Sequence, residues 1–562
     1  MDNKNFGANR SVMKNTLKWI VSILLLFGIA AGAYFWATAQ IASNFDYRSQ
    51  IKDNPPQPGA ALGTPSTERL VIVLIDALRY DTSLKTDVMP TLAQLRSEGA
   101  SALMHSQPPS FSQPGYSTIL TGAWPELNDG PAFNVEYEDI PTFTQDNLFS
   151  SAHRYGWKTA VSGYYWFEKL IPQSDVDFSF YTPGEDNAAD IEVMKAAIPW
   201  LQNNEAQVVL IHLDQVDYAG HHEGGPQSPN WDAAATRTDN MLTEVVSTLD
   251  FSKDTLVVFS DHGQIDAGGH GGQDADCLLE PFVMVGAGVI PGQYPDIQMV
   301  DIAPTLSALL GINLPASTQG EVQTVMLSLP QDVIFALPGA TGDQQSGLLN
   351  AYATALGKET KALKLLKSNT VVDTQAVIQE LRSQKLFTDR LIRAIPTGIL
   401  LAVAITLLIR QRKNHSFTWV LGGILFVALF NLRYLIIDRK VYSLSSIISE
   451  MDLILYVATT TAVSLLLVWL VVSFYNKSFN NSPNENGLKT LWLGFTVIFI
   501  AGLPVLASFF LNGPIVTWTL PDYFTSFLAL IGLIQILVIS ALTPILAGLT
   551  AGINTINRRI KK

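Results

Sequence analysis

The sequence predicts an α/β domain, a sheet sandwiched by helices, joined to an all-α transmembrane domain. Three observations predict it. Short apolar runs alternate with helical periodicity between positions 68 and 350. Two of those runs, Leu70 to Ile75 and Thr255 to Phe259, end on the acids Asp76 and Asp261, and open α/β sheets bind ligands at the carboxyl ends of their strands. Long uncharged apolar stretches then occupy the N-terminus and the last third of the chain.

Within 68–350 the strand candidates are 70–75, 158–161, 208–213, 255–259 and 281–285. Helical patterns cover 90–98, 145–155, 186–203, 231–249 and 302–310. Residues 351–390 read as a basic amphipathic helical neck leading to the membrane part.

A hydrophobic content of 48% and a mean hydropathy of +0.22 are high for a purely soluble chain. Residues 19–41 carry no charge and exceed the roughly 20 apolar residues a bilayer core requires. The stretch is too long for a signal-peptide core and is read as an uncleaved anchor after a cytoplasmic segment 1–18. Residues 42–67, rich in Pro, Gly and Ser, read as a tether lifting the domain off the membrane. Apolar runs near 392–409, 416–437, 452–475, 490–511 and 523–552 make 391–552 a membrane domain of about five further spans, followed by a basic tail, 553–562. Lys4, Arg10, Lys14 and Lys18, then Arg410, Arg412 and Lys413, then Arg558, Arg559, Lys561 and Lys562 all fall on one side if the N-terminus is cytoplasmic. Arg433, Arg439 and Lys440 fall on the other. The expected location is the cell membrane, multi-pass, with the α/β domain outside the cytoplasm.

Charge is partitioned in the same way. Residues 1–42 hold four Lys/Arg against one acid, 391–562 hold thirteen against five, and 43–390 hold nineteen against 43. So acidic an outer domain repels polyphosphate backbones unless cations intervene, which argues against nucleic acid as a partner. Cys277 is the only cysteine, so no intramolecular disulfide forms and the domain relies on its core.

Asp76, Ser112, Asp217, His221, Asp261, His262 and His270 together suit two divalent cations and one hydroxyl nucleophile. Asp217 and His221 stand four residues apart after a predicted strand, where one helical turn aims both at one ion. Asp261-His262-Gly263 and His270-Gly271-Gly272 set two imidazoles among glycines that permit tight turns. Three His with three Asp favour zinc, with manganese as the alternative. Ser112 reads as a nucleophile or as a helix N-cap, and a helix starting there points backbone N–H groups toward a bound phosphate.

Other residues have blander readings. His212 lies in a strand and is expected to orient a ligand; His222 follows His221 and points away. Asp214 and Asp266 are read as solvated acids in preference to substitute ligands, and Arg79 as a partner of Asp81 or a local structural residue. Tyr164, Tyr165 and Trp166 either hold a substrate ammonium or belong to the core.

These residues resemble the alkaline phosphatase superfamily of two-metal phospho- and sulfohydrolases over 68–320. The resemblance implies one metal held by Asp76, Ser112, Asp261 and His262, and another by Asp217, His221 and His270. Within the superfamily the wording is most similar to the GPI ethanolamine-phosphate transferases. The shared motifs are I-D-A-L-R-x-D at Ile75 to Asp81, D-N-L at Asp146 to Leu148, and H-x-x-x-x-D-x-x-G-H at His212 to His221. S-D-H-G at Ser260 to Gly263, H-G-G at His270 to Gly272 and the segment Val300 to Leu306 complete them. The resemblance also implies that Asn134 hydrogen-bonds a non-bridging phosphate oxygen; its other reading is a turn residue. Tyr116 stands where the sulfatase pattern C/S-x-P-x-R has Arg, so formylglycine chemistry is not expected. About six spans are fewer than in the eukaryotic transferases.

The function implied is a membrane-anchored two-metal phosphotransferase or phosphodiesterase with a serine nucleophile, acting on phosphoesters, and on phosphoethanolamine-type phospholipid headgroups in particular. A hydrolytic phosphodiesterase or nucleotide pyrophosphatase is the alternative, and an inactive membrane scaffold or receptor the remote one.

Overall fold

Aliphatic, β-branched sequence makes the strand β1 (Arg69–Ile75) buried at every position. The computed structural model describes residues 3–359, 374–410, 416–447, 449–476, 478 and 482–560. Around β1 a nine-stranded mixed sheet forms from β2 (Ala100–His105), β3 (Thr159–Tyr164), β4 (Phe178–Thr182), β5 (Val208–Leu213), β6 (Asp254–Phe259), β7 (Leu279–Gly286), β8 (Gly292–Gln293) and β9 (Ile297–Gln298). The order is β4-β3-β5-β1-β6-β7-β2-β8, with β9 also on β2. β1 pairs in parallel with β5 and β6, whereas β7 runs antiparallel to both β6 and β2. The expected sheet sandwiched by helices is what forms.

Period-two alternation divides the side chains of β1 between two cores. Leu70, Ile72 and Leu74 pack with Leu120, Phe149 and Leu306 on one face. Val71, Val73 and Ile75 pack with Leu92, Val193, Trp231 and Leu242 on the other. Each such side chain, buried, contributes about 1.5–3 kcal/mol. The five predicted strands are all present, and β5 matches its expected bounds. β2, β4, β8 and β9 are additions; β2 is the Ala/Ser-containing segment ASALMH, whose composition gives little strand signal.

The tether reading of 42–67 does not hold, because the segment is strapped to the domain. Tyr47 and Ile51 are buried, Arg48 forms an ion pair with Asp129 at 2.6 Å, and Leu62 N donates to the Gly311 carbonyl. Toward the other end, helix Gln331–Ala355 runs across the expected boundary at 350. Residues 360–373 of the expected neck lie outside the described residues. Residues 351–355 of it end helix Gln331–Ala355, and residues 374–390 form one continuous helix with the second span, Thr374–Arg410.

Among the described residues, six helices are long and apolar enough to cross a membrane: Asn15–Phe45, Gln375–Arg410, Phe417–Ile437, Met451–Tyr475, Pro483–Leu511 and Tyr523–Ile560. Trp19 Nε1 donates to Asn484 O and Trp36 Nε1 to Pro514 O, so the first and fifth spans lie side by side in one direction. The connections near 438–447 and 512–522 therefore share the end of the bundle where the α/β domain sits, and Arg410, Arg558 and Arg559 lie at the opposite end. The side chains of Lys4, Arg10 and Lys14, and the residues Arg412, Lys413, Lys561 and Lys562, lie outside the described residues. Of the basic residues on the domain side, Arg433 pairs with Asp438, and both Arg433 and Lys440 lie over the Tyr456 ring.

Candidate active site

Asp76 follows the last residue of β1, and Asp261 and His262 follow β6 after Ser260, so two neighbouring parallel strands deliver all three to one edge of the sheet. Helix Gln215–His222 begins two residues beyond β5 and presents Asp217 and His221 one turn apart, with His221 Nε2 at 3.4 Å from Asp217 Oδ2. Ala77, directly after Asp76, adopts a left-handed φ of 60° and donates its N–H to Asp261 Oδ1 at 3.3 Å. Such backbone is strained for alanine and concentrates at functional sites.

All seven predicted residues converge. Ser112 Oγ lies 3.2 Å from His262 Nε2, which is 3.4 Å from both Asp76 Oδ1 and Asp261 Oδ2. His270 Nε2 faces His221 Nε2 at 2.9 Å and Asp217 Oδ1 at 3.7 Å. The His262 and His270 rings stack with centroids 4.0 Å apart, which joins the two groups into one cluster.

The cluster fits cations. Asp76 Oδ1 and Asp261 Oδ2 are buried without a hydrogen-bond partner, an arrangement that is costly unless a positive charge compensates it. Burial first, then the charge of Asp76, pushes the Asp261 carboxyl well above the usual range, and burial also raises Asp217. At Asp76 burial pushes upward too, but hydrogen bonding from His212 and the proximity of His262 hold it below the ordinary value. Burial, with His262 and His221 nearby, pushes the His270 imidazole well down and keeps it neutral, as a metal ligand must be.

The surrounding residues include some the sequence reading missed. His212 orients Asp76 as expected, with Nε2 at 3.0 Å from Oδ2. Tyr116, unanticipated, donates its hydroxyl to the same Oδ2 and meets His212 Nε2 at 2.9 Å. The available signal was its place one helical turn after Ser112. Gln264 Nε2 donates to Asp217 Oδ1, and Ser110 O meets His270 Nδ1 at 3.0 Å. Asp214 is a correction: it is buried, not solvated, and lies within one donor cluster with Asp76 and His212. Asp266 is exposed and pairs with Arg79 at 2.8 Å, and Arg79 also pairs with Asp81 at 2.6 Å. His222 is exposed and lies on Tyr218, away from the cluster.

Two expectations about Ser112 change. Helix Ser112–Thr121 takes Phe111, not Ser112, as its N-cap, so the Ser112 hydroxyl has no capping duty. Its first turn also offers few free donors to an anion: Gln113 N–H donates to Asn134 Oδ1 at 3.0 Å, Pro114 has none, and Gly115 N–H bonds Phe111 O. Asn134 thereby sits one residue from Ser112, held through its oxygen. Tyr164, Tyr165 and Trp166 form their own aromatic cluster, in which Tyr164 N–H donates to His212 Nδ1 at 3.4 Å. A cavity of about 640 Å³ lies between the domain, helix Thr374–Arg410 and residues 520–523, but none of the seven residues lines it.

Residues 70–333 match the type I phosphodiesterase / nucleotide pyrophosphatase family. The matched segment thus contains every predicted site residue. The chain is 24% identical to the human GPI ethanolamine phosphate transferase 2 catalytic subunit, over 51% of this chain and 31% of that protein. It is 26% identical to the human GPI ethanolamine phosphate transferase 3 catalytic subunit, over 58% and 33%. For GPI ethanolamine phosphate transferase 2 of Candida albicans the figures are 24%, 75% and 50%. The chain spans about a third of the length of the two human relatives. Among solved structures, human ectonucleotide pyrophosphatase / phosphodiesterase 5 superposes with a TM-score of 0.38 and 15% identity over 46% of this chain and 100% of that one. The alkaline phosphatase PafA gives 0.39 and 11% over 47% and 100%.

Proposed function

We propose that the chain is a membrane-anchored enzyme that transfers or cleaves phosphoesters through Ser112, with phosphoethanolamine-type headgroups as its substrate class. The observation that carries this reading is the meeting of the Ser112 hydroxyl with His262, beside two buried carboxylate oxygens that have no partner. The family match and the transferase relatives support the reaction class.

Asp76, Asp261, His262 and Ser112 would hold one divalent ion, and Asp217, His221 and His270 a second. The imidazole-rich donor set favours zinc. Bound there, the pair supplies Lewis-acid polarisation of a phosphoryl group and lowers the pKa of a coordinated hydroxyl. The rest falls to the protein. His212 and Tyr116 fix the Asp76 carboxylate, Gln264 fixes Asp217, and the start of helix Ser112–Thr121 holds the nucleophile at the strand ends. Ser112 Oγ forms a bond to phosphorus as the bond to the donor alcohol breaks, and that alcohol leaves with a proton. An acceptor hydroxyl or water then displaces Ser112 and restores its O–H. Asn134, anchored beside Ser112, is placed to meet a phosphoryl oxygen.

The membrane arrangement supports a catalytic domain outside the cytoplasm of a multi-pass cell-membrane protein, because the described basic ends lie away from it. The test uses purified full-length protein with zinc, headgroup-labelled phosphatidylethanolamine and a nucleotide diester. Wild type should label covalently on Ser112 and turn over the lipid, and Ser112→Ala should lose at least about 10³-fold in kcat. Equal rates in the two proteins sink the nucleophile; acceptor-independent release of product, with the nucleotide diester preferred, replaces the transferase by a hydrolase.

A further inference from the structure

Among the expected ligands His270 lies farthest from any strand or helix. It sits between β6 and β7, and its loop must be held by contacts. On one side Ser110 supplies them: its carbonyl meets His270 Nδ1, its hydroxyl accepts from Gly271 N at 3.0 Å and donates to Gly272 O at 2.9 Å. On the other side they come from the membrane part. Ser445, in the connection between the third and fourth spans, accepts the Gly272 N–H at 3.0 Å. Ser443 donates to Asp274 Oδ2, and Gln273 Nε2 donates to the Tyr442 carbonyl at 3.0 Å. Ser443 and Ser445 are fully buried in this contact.

Two further features show that the fit is close. A Cβ on Gly272 would lie 1.8 Å from Ser443 Oγ, 2.6 Å from Ser445 Oγ and 3.0 Å from Asp274 Oδ2, so the two closest obstacles to a side chain here come from the membrane connection. The connection itself is anchored: Tyr442 stacks on the buried Tyr434 at 4.5 Å, Tyr442 Oη donates to Asn431, and Tyr434 Oη donates to the Val441 carbonyl. Independently, Phe111 packs edge-on against His270 and touches Phe133, which contacts Phe45 at the end of the first span and Tyr523 at the start of the last.

We propose that the connection between the third and fourth spans is part of the catalytic centre: Ser445 and Ser443 are positioning residues that clamp the Gly271–Gly272 segment and thereby set the place of His270. The inference rests on the reading of His270 as a ligand. It assigns to the membrane part a role beyond anchoring.

The test compares full-length proteins in lipid nanodiscs: wild type, Ser445→Ala, Gly272→Ala, the pair Ser443→Ala/Ser445→Ala, and that pair combined with Gly272→Ala. In zinc-free protein, Ser445→Ala should speed hydrogen exchange of residues 269–273 about tenfold, the effect of one lost hydrogen bond, while β1 keeps its protection. Zinc release to a chelator should accelerate in the same variant, and kcat should fall with KM held. Gly272→Ala should show the same loosening, and the triple variant should come close to the serine pair alone, because the two atoms the new methyl approaches most closely are then gone. Unchanged exchange at 269–273 in Ser445→Ala, or additive effects in the triple variant, overturns the clamp. Exchange in zinc-free protein involves neither metal nor turnover, so a wild type that binds no zinc fails the functional reading without touching this result.

Discussion

The two oxygens of Asp76 keep different company: Oδ2 receives Tyr116 and faces His212, while Oδ1 faces His262 with no hydrogen bond of its own. Partners of this kind orient a ligand and set its basicity. Tyr116→Phe and His212→Ala should each weaken zinc binding about 10- to 100-fold, measured by chelator competition, without abolishing the fold. Burial pushes the Asp190 carboxyl up to about 6, even though the Asp214 and Gln215 backbone N–H groups both hold it. A raised folded-state value means the folded protein binds the extra proton between the ordinary carboxylate range and about pH 6. Stability therefore falls as pH rises through that window, by a few kcal/mol at most. Asp190→Asn should flatten this part of the curve, read as thermal midpoint against pH; an unchanged slope assigns it elsewhere. The seven clustered residues were legible because each has a metal- or phosphate-directed chemistry and a place at a strand end, at a helix start, in a helical turn after a strand or in a glycine loop. Tyr116 and Gln264 were not, since a hydroxyl or amide that serves another side chain acquires its role only from tertiary contact. Asp214 was misread for the same reason: the sequence shows an acid near a motif, not the burial around it.

At the scale of elements, helix Ser112–Thr121 works as a single rigid part. It carries Ser112 at its start and Tyr116 one turn on, and it crosses the β6 end at Gly115, where a Cβ would lie 2.9 Å from Asp261 Cβ and 3.0 Å from its carbonyl oxygen. Gly115→Ala should therefore displace nucleophile from ligand and reduce kcat strongly. The D-N-L motif makes the contrasting case. Asn147 caps helix Leu148–Arg154 by accepting from Phe149 N and Ser150 N, and Asp146 pairs with Arg154. Asn147→Ala should cost about 1 kcal/mol in unfolding measurements and leave zinc affinity intact; a loss of affinity would move the motif into the site. Long periodic elements such as helix Pro90–Glu98 and β5 were readable to the residue. β2 and the five-residue β4 were not, since their places depend on pairing with β7 and β3 rather than on composition.

Across the whole molecule, the division into an acidic domain and six spans could be read from hydropathy and charge, but the coupling between the parts could not. Composition marked 42–67 as loose, whereas Tyr47, Arg48 and Ile51 tie its start to the domain. Nothing in local sequence announces that Ser445 meets Gly272 from 173 residues away, with Ser443 beside it. One consequence follows from helix Thr374–Arg410, which passes without a break from the domain into the apolar layer. With the strap of 47–62 and this stem both fastened, the domain cannot bob on a flexible stalk, and the Ser112 hydroxyl stays at a set height above the lipid surface. Under the proposed function, a donor lipid would have to present its headgroup at that height. Turnover of phosphatidylethanolamine in vesicles should peak at one acyl-chain length and decline in thinner or thicker bilayers, while a water-soluble diester is cleaved at the same rate in all of them.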